Sequence, residues 1–176
     1  MSGPDFSPDG LLFAVTLARS RNRKPLEETA SLSNDATPTS QTRPRILLAE
    51  DSDDDAFFFE RAVRKSGVQC SFVRARNGKI ATELLQGATA KSEPIDLVFL
   101  DLKMPVMSGF EVLEWLRSAS LPRTPKVIVL SGSNDHGDRI RATELGAADY
   151  IVKPIAGDDL RERITQAKNS EIEARA

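Results

Sequence analysis

From Arg45 onward, short apolar runs alternate along the chain with longer amphipathic stretches. The runs are rich in branched aliphatic residues and end at polar ones, which is typical of strands buried on both faces of a parallel sheet. Four such runs are Ile46–Ala49, Leu97–Leu100, Val127–Leu130 and Tyr150–Val152. With the shorter run Cys70–Ala75 they give five predicted strands.

The stretches between the runs have the period of amphipathic helices. The apolar stripe of the first helix, Asp53–Lys65, consists of Phe58, Phe59, Ala62 and Val63. Ser66-Gly67 follows as a helix stop. Asn77-Gly78 often marks a hairpin, but the next segment has a helical period, so we expect a strand-to-helix turn. The remaining predicted helices are Lys79–Gln86, Gly109–Arg117, Asp135–Leu145 and Asp158–Ala167.

Regular alternation of strand and helix predicts an α/β fold of (βα)5 type, in which helices cover both faces of a parallel sheet. We expect a doubly wound, three-layer sandwich with strand order 2-1-3-4-5. Ligands of such sheets bind beyond the carboxyl ends of the strands, where the strand order reverses. The predicted crevice therefore lies between the first and third strands.

Composition divides the chain into a domain and two flanking segments. Residues 25–44 are rich in Ser, Thr, Pro and Asn, so they cannot bury enough surface to offset the entropy of ordering. We expect residues 1–43 to be a largely disordered N-terminal extension, 44–168 to form the domain and 169–176 to be a C-terminal tail. Within the extension, the apolar run Leu11–Leu17 and the basic cluster Arg19–Lys24 have the character of a loosely ordered tail.

Charge and cysteine usage exclude several classes of protein. The 24 basic and 26 acidic residues give a net charge of −2, so no basic field indicates nucleic acid as a partner. The longest N-terminal apolar run is far shorter than the ~20 residues that a membrane helix needs. The single cysteine, Cys70, fits a reducing compartment. We therefore expect a cytoplasmic protein that binds no membrane, with Cys70 as a small buried group.

Polar residues follow the predicted strands on the edge where the crevice should lie. Glu50 and Asp51 follow the first strand, Asp101 follows the third, and Ser131 and Lys153 follow the last two. Carboxylates that converge repel one another, and a hard dication such as Mg²⁺ removes that conflict. The pattern predicts phosphoryl chemistry with a divalent metal.

In these positions the chain resembles the response-regulator receiver domains of two-component signalling. The resemblance runs from Arg45 to Ala167 and rests on Glu50-Asp51, Asp101-Leu102-Lys103-Met104-Pro105, Gly109, Ser131, Tyr150 and Lys153-Pro154. It implies a flavodoxin-like sandwich. The run of residues 50–54 and the longer segment before Pro94 also resemble single-domain receivers that are paired with phytochrome-type histidine kinases.

The resemblance implies a role for each of these residues. Asp101 would accept a phosphoryl group from a phosphohistidine and form an aspartyl phosphate. The Mg²⁺ or Mn²⁺ ligands would be Asp51, Asp101, the backbone carbonyl of Lys103 and, through water, Glu50. Lys153 and Ser131 would bind phosphoryl oxygens. The Lys153–Pro154 peptide bond is expected to be cis.

The same resemblance implies a switch rather than turnover of a separate substrate. Phosphorylation would draw the Ser131 hydroxyl inward and let Tyr150 turn from an exposed to a buried position, which reshapes the face made by the fourth helix, fifth strand and fifth helix. The implied partners are a histidine kinase or phosphotransfer protein, a downstream protein, and a second copy bound through that face. Beyond its own phosphorylation and dephosphorylation, no enzyme activity is expected.

Other interpretations fit the sequence less well. A degenerate receiver that serves only for binding or dimerisation is the main alternative. A phosphatase of the haloacid-dehalogenase type needs a second Asp two residues after the nucleophile, where this chain has Lys103. The acidic run Asp51–Asp55 lacks the Gly and Glu of an EF-hand loop. Phe57 lies off the predicted stripe, as a partner contact or an exposed ring.

Overall fold

The computed structural model describes residues 43–90 and 93–175. The predictions made for the N-terminal extension lie outside the described residues. The five strands form one parallel sheet in the order β2-β1-β3-β4-β5, which confirms the predicted topology. Their bounds are β1 Arg45–Ala49, β2 Ser71–Ala75, β3 Leu97–Asp101, β4 Lys126–Ser131 and β5 Asp149–Val152.

Each strand is followed by a helix, as the alternating pattern predicts. The helices are α1 Asp53–Ser66, α2 Gly78–Ala90, α3 Gly109–Ser118, α4 His136–Glu144 and α5 Gly157–Arg175. α5 continues well past its predicted end at Ala167, through most of the segment expected to be a tail. No described helix is long and apolar enough to cross a membrane.

The two ends of α1 follow from its flanking residues. The Ser52 side chain accepts a hydrogen bond from the Asp55 amide, and the first turn carries three acidic residues, which favour a helix N-terminus. Gly67 has a left-handed φ of 69° and its N–H donates to the Arg64 carbonyl. Ser66-Gly67 therefore ends the helix as predicted, because glycine adopts this conformation without strain.

The sheet separates two apolar cores. On one face, strand residues such as Ile46, Leu48 and Phe99 pack with α1 and α5 through Phe59, Val63, Leu160 and Ile164. On the other face, strand residues such as Leu47, Val98 and Val129 pack with α2 and α3 through Leu85, Val112, Leu113 and Leu116. Both faces are covered, which explains why the central strands are continuously apolar.

The predicted stripe of α1 is wrong at one position. Phe59 is 3% exposed, whereas Phe58 is 57% exposed. The buried face instead follows Ala56, Phe59, Ala62 and Val63. Successive residues of an α-helix are about 100° apart around its axis, and the face that packs is centred near Phe59, so the ring of Phe58 points away from the core.

Two further local expectations concern Asn77-Gly78 and Cys70. β1 and β2 are parallel, and Asn77 starts α2 by accepting the Ile80 amide on its side chain. This confirms the strand-to-helix turn. Cys70 packs against the α1–α5 core but is only partly buried, because it lies just before β2 rather than within it. Burial raises the pKa of its thiol.

Candidate functional site

The strand order brings the acidic residues together. β1 and β3 are neighbours in the sheet, so Glu50 and Asp51, which follow β1, lie beside Asp101 at the end of β3. Each of the three offers a carboxylate oxygen within 4.8 Å of the others. Glu50 and Asp101 are 2% and 6% exposed, while Asp51 faces solvent. The site therefore combines two buried carboxyl groups with one accessible carboxyl group.

Lys153 crosses the edge of the sheet from β5 to reach this cluster. Its Nζ donates to Asp101 Oδ1 at 2.7 Å, to Glu50 Oε2 at 2.5 Å and to Asp55 Oδ2 at 2.9 Å. The sequence interpretation missed this contact, because along the chain Asp55 is only one member of the acidic run Asp51–Asp55. Its position one turn into a helix that starts beside the site is the signal that could have identified it.

The cluster contains more carboxyl groups than ammonium groups. Burial raises the pKa of Glu50, and the nearby Lys153 only partly offsets this effect. Burial also opposes the charge of Lys153, but hydrogen bonds to Asp101, Glu50 and Asp55 raise its pKa above the ordinary value for lysine. Three carboxyl groups thus contact one ammonium group, and a fourth, that of Asp51, lies beside Glu50 and Asp101. An oxygen-rich site with excess negative charge fits a hard dication such as Mg²⁺.

Backbone groups of the loop after β3 complete the surroundings of Asp101. The Lys103 amide donates to Asp101 Oδ2 at 2.7 Å. Gly109 lies so close to the end of β3 that a Cβ built on it would be 2.3 Å from the Asp101 carbonyl oxygen. Only glycine fits there. The loop is therefore held against the site, with the Lys103 side chain exposed.

Ser131 and Tyr150 are connected through the backbone of Ser133. Ser131 ends β4 and is buried, and its Oγ accepts a hydrogen bond from the Ser133 amide at 3.1 Å. The hydroxyl of Tyr150 donates to the Ser133 carbonyl at 2.9 Å. Tyr150 is 5% exposed, and the Arg139 guanidinium lies 4.8 Å from the centroid of its ring.

Two further features concern the backbone on either side of the cluster. The Lys153–Pro154 peptide bond is cis, the geometry that the resemblance implies. Arg74 of β2 binds the loop between β1 and α1, a contact that nothing in the sequence interpretation anticipated. Its neighbour Asp53 has a lowered pKa, mainly because Arg74 donates a hydrogen bond to it.

Residues 46–165 match the sequence profile of the response regulator receiver domain. The chain belongs to this family. It is 37% identical over 120 residues to the transcriptional activator protein IrlR of Burkholderia pseudomallei, covering 68% of this chain and 48% of that protein. It is 35% identical over 119 residues to a Vibrio cholerae protein named "Probable cyclic di-GMP phosphodiesterase", covering 68% of this chain and 25% of the relative. The chain therefore matches a quarter to a half of the length of these relatives.

Solved receiver structures resemble the fold over most of their length. The signal receiver domain of a LuxO repressor protein from Vibrio parahaemolyticus has a TM-score of 0.64 at 28% identity, covering 75% of this chain and 95% of that one. The phosphorylated cyanobacterial phytochrome response regulator RcpA has a TM-score of 0.58 at 31% identity, covering 74% and 92%. The bacteriophytochrome response regulator AtBRR has a TM-score of 0.61 at 28% identity, covering 72% and 93%.

Proposed function

We propose that this chain is a phosphorylation-dependent signalling module whose phosphoacceptor is Asp101. The observation that carries the proposal is the contact of Lys153 with Asp101 inside a cluster of four carboxyl groups. A nucleophilic carboxylate, a fixed ammonium group and ligands for a dication are the parts that phosphoryl transfer to an aspartate needs. The membership of the receiver family supports the same assignment.

In the proposed reaction an Asp101 carboxylate oxygen forms a bond to phosphorus while the bond from phosphorus to a histidine nitrogen breaks. The imidazole of a histidine kinase or phosphotransfer protein leaves with the electron pair. Lys153 would neutralise charge on the phosphoryl oxygens, and the Ser131 hydroxyl would donate to one of them.

We assign the metal ligands to Asp51, Asp101 and the Lys103 carbonyl, with Glu50 acting through water. Mg²⁺ or Mn²⁺ would supply charge neutralisation at the phosphoryl oxygens when bound. The excess of carboxyl groups over ammonium groups in the cluster supports this assignment.

The proposed output is a change at the face made by α4, β5 and α5. A Ser131 hydroxyl that turns towards a phosphoryl oxygen would release the Ser133 amide, and Ser133 also accepts the Tyr150 hydroxyl. A downstream protein or a second copy of the chain would bind the changed face. The phytochrome-associated neighbours support a phytochrome-type histidine kinase as the phosphoryl donor.

Phosphorylation by a small donor tests the proposal without a partner protein. Incubation with acetyl phosphate and Mg²⁺ should add one phosphoryl group to the full chain, measured by intact-protein mass spectrometry. Asp101→Asn should abolish the addition, and the exposed control Asp54→Asn should retain it. Labelling of the Asp101→Asn variant would contradict the assignment of the phosphoacceptor. A parent protein that neither accepts phosphoryl nor binds Mg²⁺ would favour a degenerate receiver that acts only as a binding or dimerisation module.

A further inference from the structure

Arg74 binds the loop that carries two of the site carboxylates. Its Nε donates to the Glu50 carbonyl at 3.0 Å and its Nη2 donates to the Asp51 carbonyl at 3.0 Å. The remaining nitrogen, Nη1, donates to Asp53 Oδ1 at 2.7 Å. The Arg74 side chain is only 17% exposed. One guanidinium group therefore contacts three residues around the loop, Glu50, Asp51 and Asp53.

The position of Arg74 in the sheet explains this reach. It is the register partner of Leu48 on β1, and Leu48 packs on the face that α1 and α5 cover. From the edge strand β2 its side chain extends along this face towards the carboxyl end of β1. The guanidinium group is planar and rigid, so bonds to two adjacent carbonyls fix the direction of both peptide groups.

We propose that Arg74 is a positioning residue of the metal site. By holding the carbonyls of Glu50 and Asp51, it fixes the loop from which their carboxyl groups extend towards Asp101. This raises the affinity of the site for Mg²⁺. The inference rests on the proposed function, because it assigns Arg74 to the cation site described there.

An electrostatic role and a positioning role of Arg74 predict opposite changes in Mg²⁺ affinity when the residue is replaced. A guanidinium ion beside a cation site repels the incoming dication, so removal of its charge alone would tighten Mg²⁺ binding. Loss of an outer contact that orients metal ligands weakens binding, commonly by 10–100-fold. The sign of the change in Mg²⁺ affinity therefore distinguishes a positioning role from a purely electrostatic one.

The test compares Arg74→Gln, Arg74→Lys and Arg76→Gln in the full chain. Arg76 pairs with Asp53 at 2.8 Å and is 61% exposed, so it matches the charge and one partner of Arg74 without touching the loop carbonyls. Titration with MgCl₂, followed by amide chemical shifts in NMR spectra, should give dissociation constants about tenfold higher for both Arg74 variants. Arg76→Gln should stay within about twofold of the parent, which is the size of a screened surface charge effect.

Two further measurements separate positioning from loss of stability. At saturating Mg²⁺ the rate of labelling by acetyl phosphate should return close to that of the parent, since Arg74 does not touch the reacting atoms. In EDTA, the amide shifts of Glu50 and Ser52 should change in the Arg74 variants and stay constant in Arg76→Gln. If Arg74→Gln does not fold, the same measurements on Arg74→Lys, which keeps the charge, still test the inference against the parent and Arg76→Gln.

Equal or tighter Mg²⁺ binding by the Arg74 variants would overturn the inference. So would unchanged loop amide shifts in EDTA. A parent chain that binds no Mg²⁺ would refute the proposed metal site instead, and the comparison of loop amides in EDTA would still decide whether Arg74 holds the loop.

Discussion

Val106, in the loop between β3 and α3, has an unfavourable backbone conformation. It is the only non-glycine residue of the described ranges with a positive φ, at 68°, and its side chain is 82% exposed. A β-branched residue in this region costs about 1–2 kcal/mol, and an exposed side chain gains little packing in return. The loop beside Asp101 therefore contains local strain.

Relief of this strain should stabilise the protein. We expect Val106→Gly and Val106→Asn to raise the free energy of unfolding by about 1 kcal/mol, because both residues tolerate a positive φ. Val106→Ala should give a smaller gain, since alanine keeps a Cβ in a strained position. Urea denaturation measures the series, and equal stability of all four proteins would show that the positive φ is not strained.

Glu50 contributes to the site at the expense of stability. Burial raises its pKa, so the folded state binds a proton at Glu50 more readily than the unfolded chain does. The ionised form is therefore unfavourable in the metal-free folded protein, and the free energy of unfolding falls as the pH rises through the raised pKa. Below that range the group is protonated and this cost disappears.

Glu50→Gln should thus raise the free energy of unfolding of the metal-free protein by about 1 kcal/mol at pH 7. The gain should vanish at acidic pH, where parent and variant are both neutral at this position. Urea denaturation in EDTA measures both values, with the exposed residue Glu83 changed to Gln as control. A loss of stability at pH 7 would show that the attraction to Lys153 outweighs burial.

In helix α1, one of two adjacent phenylalanines packs in the core and the other faces solvent. Phe59 packs edge-to-face on Phe99, with the ring centroids 4.8 Å apart, and stacks on Phe72 at 5.9 Å. Phe58 contacts the neighbouring exposed ring of Phe57 at 5.9 Å. The two adjacent phenylalanines therefore form a matched pair with the same helical propensity and opposite burial.

Phe59→Ala should lower the free energy of unfolding by about 3–5 kcal/mol, as expected for removal of a buried aromatic ring. Phe58→Ala should lower it by less than about 1 kcal/mol, because most of its ring already faces solvent. Thermal or urea unfolding of the two variants compares them directly. Similar losses for both would mean that Phe58 packs in the core, as the sequence pattern alone suggested.

The sequence pattern predicts the type and order of the strands and helices but not the face on which each helix packs. The central strands β1, β3 and β4 were predictable because both faces of the sheet are covered, so their apolar runs have no polar interruption, whereas the edge strand β2 contains Arg74. The type and order of the elements then placed Glu50, Asp51 and Asp101 at one edge. The burial of Phe58 was not predictable, because the face of α1 that packs depends on its rotation over the sheet.

The contacts of Asp55 and Arg74 could not be predicted from the sequence for a related reason. Both act through side chains that reach a different element, from α1 to Lys153 and from β2 to the β1–α1 loop. Such reach depends on the distance between elements and on rotamers, which spacing along the chain does not encode. The sequence could therefore predict the chemistry of the site but not the residues that hold it in shape.

At the scale of the whole molecule, the topology concentrates negative charge at one edge of the sheet. The chain as a whole is nearly neutral, with a net charge of −2. The carboxyl groups of Glu50, Asp55 and Asp101 nevertheless contact the single ammonium group of Lys153, and Asp51 lies beside Glu50 and Asp101. Folding brings these carboxyl groups together against their mutual repulsion. A dication that binds only the folded state should offset this cost and stabilise the entire domain.

Mg²⁺ should therefore raise the thermal unfolding midpoint of the full chain. A ligand at 100 times its dissociation constant adds about 2.7 kcal/mol to the free energy of unfolding, which corresponds to a shift on the order of 10 °C for a domain of this size. Differential scanning calorimetry with MgCl₂, against NaCl of equal ionic strength, separates binding from screening of the carboxyl groups. Asp51→Asn should remove the Mg²⁺-specific shift, because Asp51 is the solvent-facing carboxyl group of the cluster. If NaCl gave the same shift, or if the variant kept it, the excess negative charge would be a general electrostatic feature and not a metal site.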